Sequence, residues 1–538
     1  MKAKRLAALV TPLFAFASFN TVAHDDPGAK AEKFGTVLFK TSCSPAAQKE
    51  FERALAQLHS FDFPETIKSF SAIPQTDASC AIAYWGLAVS IRPNPLVGPW
   101  DAATLKRGLD AVEKGESIGA KTQRERDWLA AIKEFYKDFD RVDQDTRTKN
   151  YEKAMAALSK KYPNDVEAKV FHALALNEIF DHRNMEPLLQ AIRILEPLDK
   201  KYPAHPGITH YLIHSYDFAP LAKKGIPVAN KYAKIAPSAA HAQHMPSHIY
   251  SMVGMWKESI ASNISSVKVA NEYQEKAKLD GVLVGIPHSY DFMAYAHLQL
   301  GQDGRAQELV GESAKVKKVL GPVSAGNTAR AAVPARYMLE RQDWKGAAQL
   351  QPLGTPFPAA EAITHFTRAI GAARSGDAPA AQADIEKLKE LRAGLEKARQ
   401  SYWAEQIEVQ VLSAQGWLEN AQGNKAEALK FVRAAADLED STEKHVSMEN
   451  RLYPMRELLG DLLREHGQFA EALKEYQASM KAAPNRLRGY YGAAKAAEAM
   501  GEKKKAMGYW GQLARLTREA DSDRGELREL KQALAAGQ

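Results

Sequence analysis

The chain has 538 residues, of which 45% are hydrophobic and 25% charged, and a formal net charge of +7. That is ample apolar material for a large core, and the charge is too nearly balanced to make a case for nucleic acid. No stretch reaches the roughly 18 consecutive apolar residues of a membrane-spanning helix.

The first residues read as a leader. Lys2, Lys4 and Arg5 form a charged segment, Leu6 to Ser18 is apolar and short, and Thr21-Val22-Ala23 places small residues before a cut. This pattern predicts a signal peptide over 1–23, cut near Ala23/His24, and a periplasmic or secreted mature chain. Its removal takes three positive charges and lowers the net charge to +4. Residues 24–40 read as a flexible lead-in. The two cysteines, Cys43 and Cys80, read first as a disulfide, as expected in an exported protein. Such a bridge closes a loop of 37 residues, worth roughly 3–4 kcal/mol in the chain-entropy account. Two buried thiols or a thiolate metal site are the alternatives.

From there on, amphipathic helical segments of 12–18 residues alternate with short Gly, Pro or Asp turns, and strand patterns are nearly absent. Gly467 and Gly501 are 34 residues apart, the tetratricopeptide (TPR) period. Each is followed five residues later by an alanine, Ala472 and Ala506, and the pairs Gly376/Ala381 and Gly423/Ala428 repeat that offset. Gly ends the first helix of a hairpin, and the small Ala lets the second pack closely. The expected fold is all-α: a TPR-like α-α superhelix of about a dozen hairpins. It divides into N-terminal repeats over 41–205, a histidine-rich centre over 206–320, and C-terminal repeats with a capping helix over 321–538. The loop Pro93-Asn94-Pro95-Leu96-Val97-Gly98-Pro99-Trp100 is expected to cover one end of a groove.

Eight of the fifteen histidines fall within residues 203–297. His210 and His214 have i, i+4 spacing, as do His244 and His248, and His241 extends the second stripe. Pro206, Pro246 and Pro287 mark the starts of three consecutive helices that line the concave wall. A residue before proline disfavours helical geometry, so Met245 should break the second stripe and leave His244 just outside its helix. The set converging on one side of the groove is His210, His214, His241, His244, His248 and His288. Neutral imidazoles in this number suit zinc, copper or nickel. Asp217 and Asp291 are candidate carboxylate ligands or partners of the ligands, and Tyr250 is a further hydrogen-bond partner. Met245, Met252 and Met255 are candidate thioethers for Cu(I), although helical spacing also assigns Met252, Met255 and Trp256 to the core. The glutamate of a zinc-protease motif is missing. A metal-free polar network and metal-free histidine catalysis are the other uses of such a cluster.

The chain resembles a group of bacterial exported TPR-repeat proteins of ill-defined role. The resemblance rests on Ser42-Cys43-Ser44-Pro45, Leu58-His59-Ser60-Phe61, Cys80 to Ala88, His210-Tyr211-Leu212-Ile213-His214, and above all His244-Met245-Pro246-Ser247-His248-Ile249-Tyr250, with Glu443-Lys444-His445 and Arg456 to Asp461 further on. It covers most of the mature chain and implies a TPR-like solenoid but no activity. After Glu443-Lys444-His445 this chain reads Val446-Ser447-Met448-Glu449-Asn450-Arg451, where the relatives tend to have a Pro/Gly-rich turn.

The leading expectation is a binding protein that grips a protein or peptide partner in its concave groove, with a His-lined transition-metal site. The rival is a metal-dependent, hydrolase-like enzyme with Asp217 or Asp291 as base. An enclosed pocket at the histidines favours the rival, and a wide groove favours binding. Trp85, Tyr84 and His59 are expected to pack the first repeats.

Overall fold

The computed structural model describes residues 32–536, without Pro93 and Pro322. The leader and residues 24–31 lie outside them. The architecture is an all-α, TPR-like superhelical solenoid in which successive helices pack against one another. It opens with the pair Pro45–His59 and Phe63–Thr76 and closes on a capping helix, Gly525–Ala536. The β-sheet among the described residues is one parallel pair of two-residue strands, Val282–Leu283 with Val319–Leu320.

The turn chemistry follows the sequence. Gly376, Gly423, Gly467 and Gly501 all have positive φ at helix ends, a conformation that costs glycine nothing. Ala381, Ala428, Ala472 and Ala506 are buried in the helices that follow. Cys43 and Cys80 form a disulfide. Among the described residues no helix is long and apolar enough to cross a membrane.

Residues 33–40 correct the expectation of a flexible lead-in. They run extended along the first repeats, with Phe34, Val37 and Phe39 buried. Thr36 N–H donates to the Ala204 carbonyl at 3.0 Å, and Leu38 N–H to the Glu167 carboxylate at 2.8 Å. Phe39 stacks on Trp85. Three buried apolar side chains and hydrogen bonds to the repeats hold this segment, which pairs with no strand among the described residues.

The superhelix turns back on itself. Trp256 donates to the Asn485 carbonyl at 2.7 Å, and Arg486 binds both Glu340 and Glu457 at 2.8 Å while fully buried. Residues 441–454 leave the helical pattern and run through the interior, where Lys444, Ser447, Glu449, Asn450 and Tyr453 are buried. The Glu443 amide donates to the His182 carbonyl at 2.8 Å, and Arg336 donates to the carbonyls of Asn450, Arg451 and Leu452.

Candidate metal centre

The six histidines come from four helices. Pro206–Tyr216 carries His210 and His214; Ala240–His244 and Pro246–Met252 carry His241, His244 and His248; Gly285–Gln299 carries His288. Pro206 and Pro246 are each the first residue of a helix, where a missing N–H costs nothing. Pro287 sits within the first turn of its helix rather than at its start.

Met245 corrects the expectation of a break. Its backbone is helical, with φ −52° and ψ −36°, and its N–H donates to the His241 carbonyl at 2.9 Å. The chain therefore passes from one short helix into the next without a break at Met245, and His244 and His248 lie side by side. Burial of Met245, Ile249 and Tyr250 in the core outweighs the pre-proline preference.

The rings gather into two trios, His210/His214/His241 and His244/His248/His288, each with ligand atoms within 4.8 Å of one another. The trios adjoin: His214 and His248 ring centres are 6.0 Å apart, as are those of His241 and His244. Phe61 stacks on His214 and His241, and Phe292 packs against all three rings of the second trio.

Proton positions follow from the partners. His248 Nδ1 lies 2.7 Å from Asp217 Oδ2, which also accepts from Lys444 Nζ at 2.6 Å. An ionised carboxylate only accepts, so the His248 proton is on Nδ1. Asn263 donates its Nδ2 to the Ser259 carbonyl, which turns its Oδ1 toward His244 Nδ1 at 2.7 Å. The His244 proton is therefore on Nδ1 as well. Both Nε2 atoms carry lone pairs, and they face each other at 3.0 Å. His210 Nδ1 donates to the His59 carbonyl at 2.6 Å, which leaves its Nε2 lone pair 3.1 Å from His241 Nε2. His214 is 3% exposed with no hydrogen bond at either ring nitrogen, and His288 Nδ1 is likewise unpaired.

Protonation is a poor remedy for facing lone pairs here. Burial, reinforced by neighbouring histidines, pushes His210, His214, His241, His248 and His288 well below the ordinary imidazole range. Burial takes His244 down to about 4. Burial raises Asp217 to about 6, against the pull of Lys444.

A divalent ion is the other remedy. Imidazole nitrogens bind zinc-like ions at about 2.0–2.1 Å, which sets tetrahedral ligand atoms about 3.3 Å apart. The 3.0 and 3.1 Å contacts are near that value. The carboxylate and amide behind His248 and His244 are the usual support of a metal-bound imidazole.

Other expected partners go elsewhere. Asp291 is held by Arg336 at 2.8 Å, and Tyr250 donates to Asn230 at 2.8 Å, so neither serves the histidines. Asp217 Oδ2 is bound by His248 and Lys444, whereas Asp217 Oδ1 is buried without a partner. Met245 and Met255 pack in the N-terminal core and Trp256 in a smaller one.

A third cluster was not anticipated. Glu167 accepts from His59 and His205 at 2.9 Å each, and from the Leu38 amide. His59 Nδ1 accepts from Tyr211, and His205 Nδ1 from the Ile208 amide at 3.3 Å. Every ring nitrogen is used, so this trio is a closed hydrogen-bond network that ties the first repeat to the centre. Lys444 and Asn263 were missed too: Lys444 stands in the Glu443-Lys444-His445 stretch that the resemblance singles out, and Asn263 lies in no pattern that spacing exposes.

Beside His214 lies a partly enclosed cavity of about 130 Å³. Leu96 of the Pro-rich loop, Phe180, His182, Phe218 and His445 form part of its wall.

No protein-family model and no curated protein matches the chain. Among solved structures, it is similar to the crystal structure of yeast Tom70, at 12% identity and a TM-score of 0.33, over 91% of this chain and 96% of that one. It is also similar to a monomeric mutant of IFIT1 with Gppp-AAAA, at 11% identity and a TM-score of 0.37, over 81% of this chain and 90% of that one. Similarity at this level adds nothing to the geometry of the site.

Proposed function

We propose that this is an exported metalloprotein whose TPR-like frame encloses a transition-metal centre, with one ion held by each histidine trio. The observation that carries it is the pair of His244 and His248 lone pairs facing each other at 3.0 Å, with Asp217 and Asn263 fixing both protons on the far nitrogens. An all-imidazole donor set selects zinc, copper or nickel over magnesium or calcium. The partly enclosed cavity beside His214 favours work on a small molecule over a grip on a peptide. A protein or peptide partner is suggested by the solenoid architecture alone. The disulfide supports export, because such bonds persist in oxidising compartments. The HMPSHIY stretch, which supplies His244 and His248, is also the part of the sequence on which the resemblance to exported TPR proteins chiefly rests.

The test is the metal content of the mature protein purified without a His-tag. Near-stoichiometric transition metal is expected, halved in a folded His244→Ala/His248→Ala variant. Metal-free protein that takes up none on titration would sink the proposal. N-terminal sequencing of the same material should begin near His24.

A further inference from the structure

The cavity beside His214 has a composition that selects a ligand. Its volume, about 130 Å³, is close to that of cavities that accept a benzene ring. Phe180 and Phe218 lie edge to face with centres 4.9 Å apart, and His182 packs on Phe180 at 5.1 Å. An aromatic wall of this kind accepts a flat ring by edge or offset contact.

The polar groups fix the rest. Glu178 lines the cavity, but its two oxygens are taken by Arg92 at 2.6 and 3.0 Å, and both side chains are buried. Lys444, nearby, is held by Asp217. The charges are matched in pairs, so an ionic ligand would be buried without a counter-charge, at high cost.

Of the other polar side chains in the wall, Asn177 is bonded to Ala173 and Ser215 and His214 belongs to the first trio, which leaves His182 and His445. His182 Nδ1 donates to the Lys444 carbonyl at 3.2 Å, and burial takes its pKa down to about 4. Its Nε2 is therefore an acceptor. His445 Nδ1 accepts from the Ser447 amide at 3.1 Å and lies 2.7 Å from the Ser447 hydroxyl, which can donate to it as well, so its Nε2–H is a donor. The two rings are 5.3 Å apart. One acceptor and one donor on neighbouring rings complement a hydroxyl, which gives one hydrogen bond and accepts another.

We infer that the cavity is a binding site for a small uncharged phenol, with its hydroxyl between His182 and His445 and its ring among the aromatic side chains toward His214. Treating this ligand as a substrate rests on the metal-centre reading; its binding does not, because no recognition group named here is a metal ligand.

The experiment is titration calorimetry with phenol as the probe, on the full mature chain, both metal-loaded and stripped with chelator. Saturable one-to-one binding is expected in both forms, at least tenfold tighter than benzene or benzoate. His182→Phe and His445→Phe, each confirmed folded by circular dichroism and thermal midpoint, should weaken phenol at least tenfold and leave benzene within about twofold. Absence of saturable phenol binding in both forms, or equal binding of phenol and benzene, overturns the inference. So does phenol affinity that is unchanged in both variants. If a variant does not fold, fluorine NMR of 4-fluorophenol on the wild type decides, since a bound resonance must show contacts to the His182 or His445 ring protons. Failure of the metal reading appears separately, as protein without metal that still binds phenol.

Discussion

Lys444 Nζ meets Asp217 Oδ2 at 2.6 Å across 227 residues of sequence, and both side chains are buried. The same oxygen accepts from His248 Nδ1. One carboxylate therefore ties the interior segment 441–454 to the second histidine trio. Lys444→Met should destabilise the protein by about 3–5 kcal/mol, because it leaves Asp217 buried without its cation. Lys444→Met combined with Asp217→Asn should recover a large part of that loss. Urea denaturation of both variants checks this, and equal losses would refute it.

Asn263 and Asp217 fix the rings of His244 and His248 without being ligands themselves. Asn263→Ala and Asp217→Asn should each weaken metal by about 10–100-fold, as loss of such supporting partners does. Competition against a chromogenic chelator measures it. The thermal midpoint of the metal-free Asn263→Ala variant separates this effect from simple unfolding.

Acid should open the metal-free protein. His244 is at about 4 in the fold, against 6.5 when unfolded, because burial disfavours its charge. The unfolded state binds more protons between these values, so stability present above about 6.5 is lost as pH falls toward 4. A shift of this size is worth roughly 3 kcal/mol for His244 alone. The other five histidines shift in the same direction. Bound metal competes with protons, so the acid midpoint of the loaded protein should lie lower. Circular dichroism against pH, with and without metal, shows both.

Glu449 should act in the opposite sense. It is buried beside Arg336, already paired with Asp291, and burial pushes its carboxyl up to about 8 from 4.5. The folded state holds this proton more tightly, so the stability it contributes is full below about 4.5 and is lost as pH rises through about 8. Glu449→Gln should be at least as stable as the parent at pH 8 and should flatten the alkaline side of the stability profile.

Cys43→Ser/Cys80→Ser should lower stability by roughly 3–4 kcal/mol through the longer freedom of the unfolded chain. Reduction of the native protein should produce a similar fall in the denaturation midpoint.

The helical frame was legible because its signals are local. Gly501 and Ala506 announce a turn and a close crossing within five residues, and the structure shows a positive φ and a buried alanine there. Six histidines could be grouped from spacing and from Pro206, Pro246 and Pro287. What was hidden depends on long-range packing. Met245 stays helical because the core holds its neighbours, which local preference does not reveal. Asp291 turns to Arg336 rather than to a histidine, a choice made by a helix 45 residues on. Lys444 reaches the site only because an irregular segment re-enters the interior, and irregular segments carry no period. Residues 33–40 were lost to the same cause: eight residues with three buried aromatic or aliphatic contacts read as a tail.

The interior segment also determines how slowly the centre communicates with its surroundings. All six imidazoles lie between residues 210 and 288, yet the inward passage of 441–454 is what pins Asp217 beneath them. If the proposed metal is held behind this segment, its release to an external chelator should follow the opening rate of the segment rather than the strength of the nitrogen bonds. Loosening the segment by Lys444→Met should then speed release even where equilibrium affinity changes little, making the centre a trapped cargo rather than an exchangeable one.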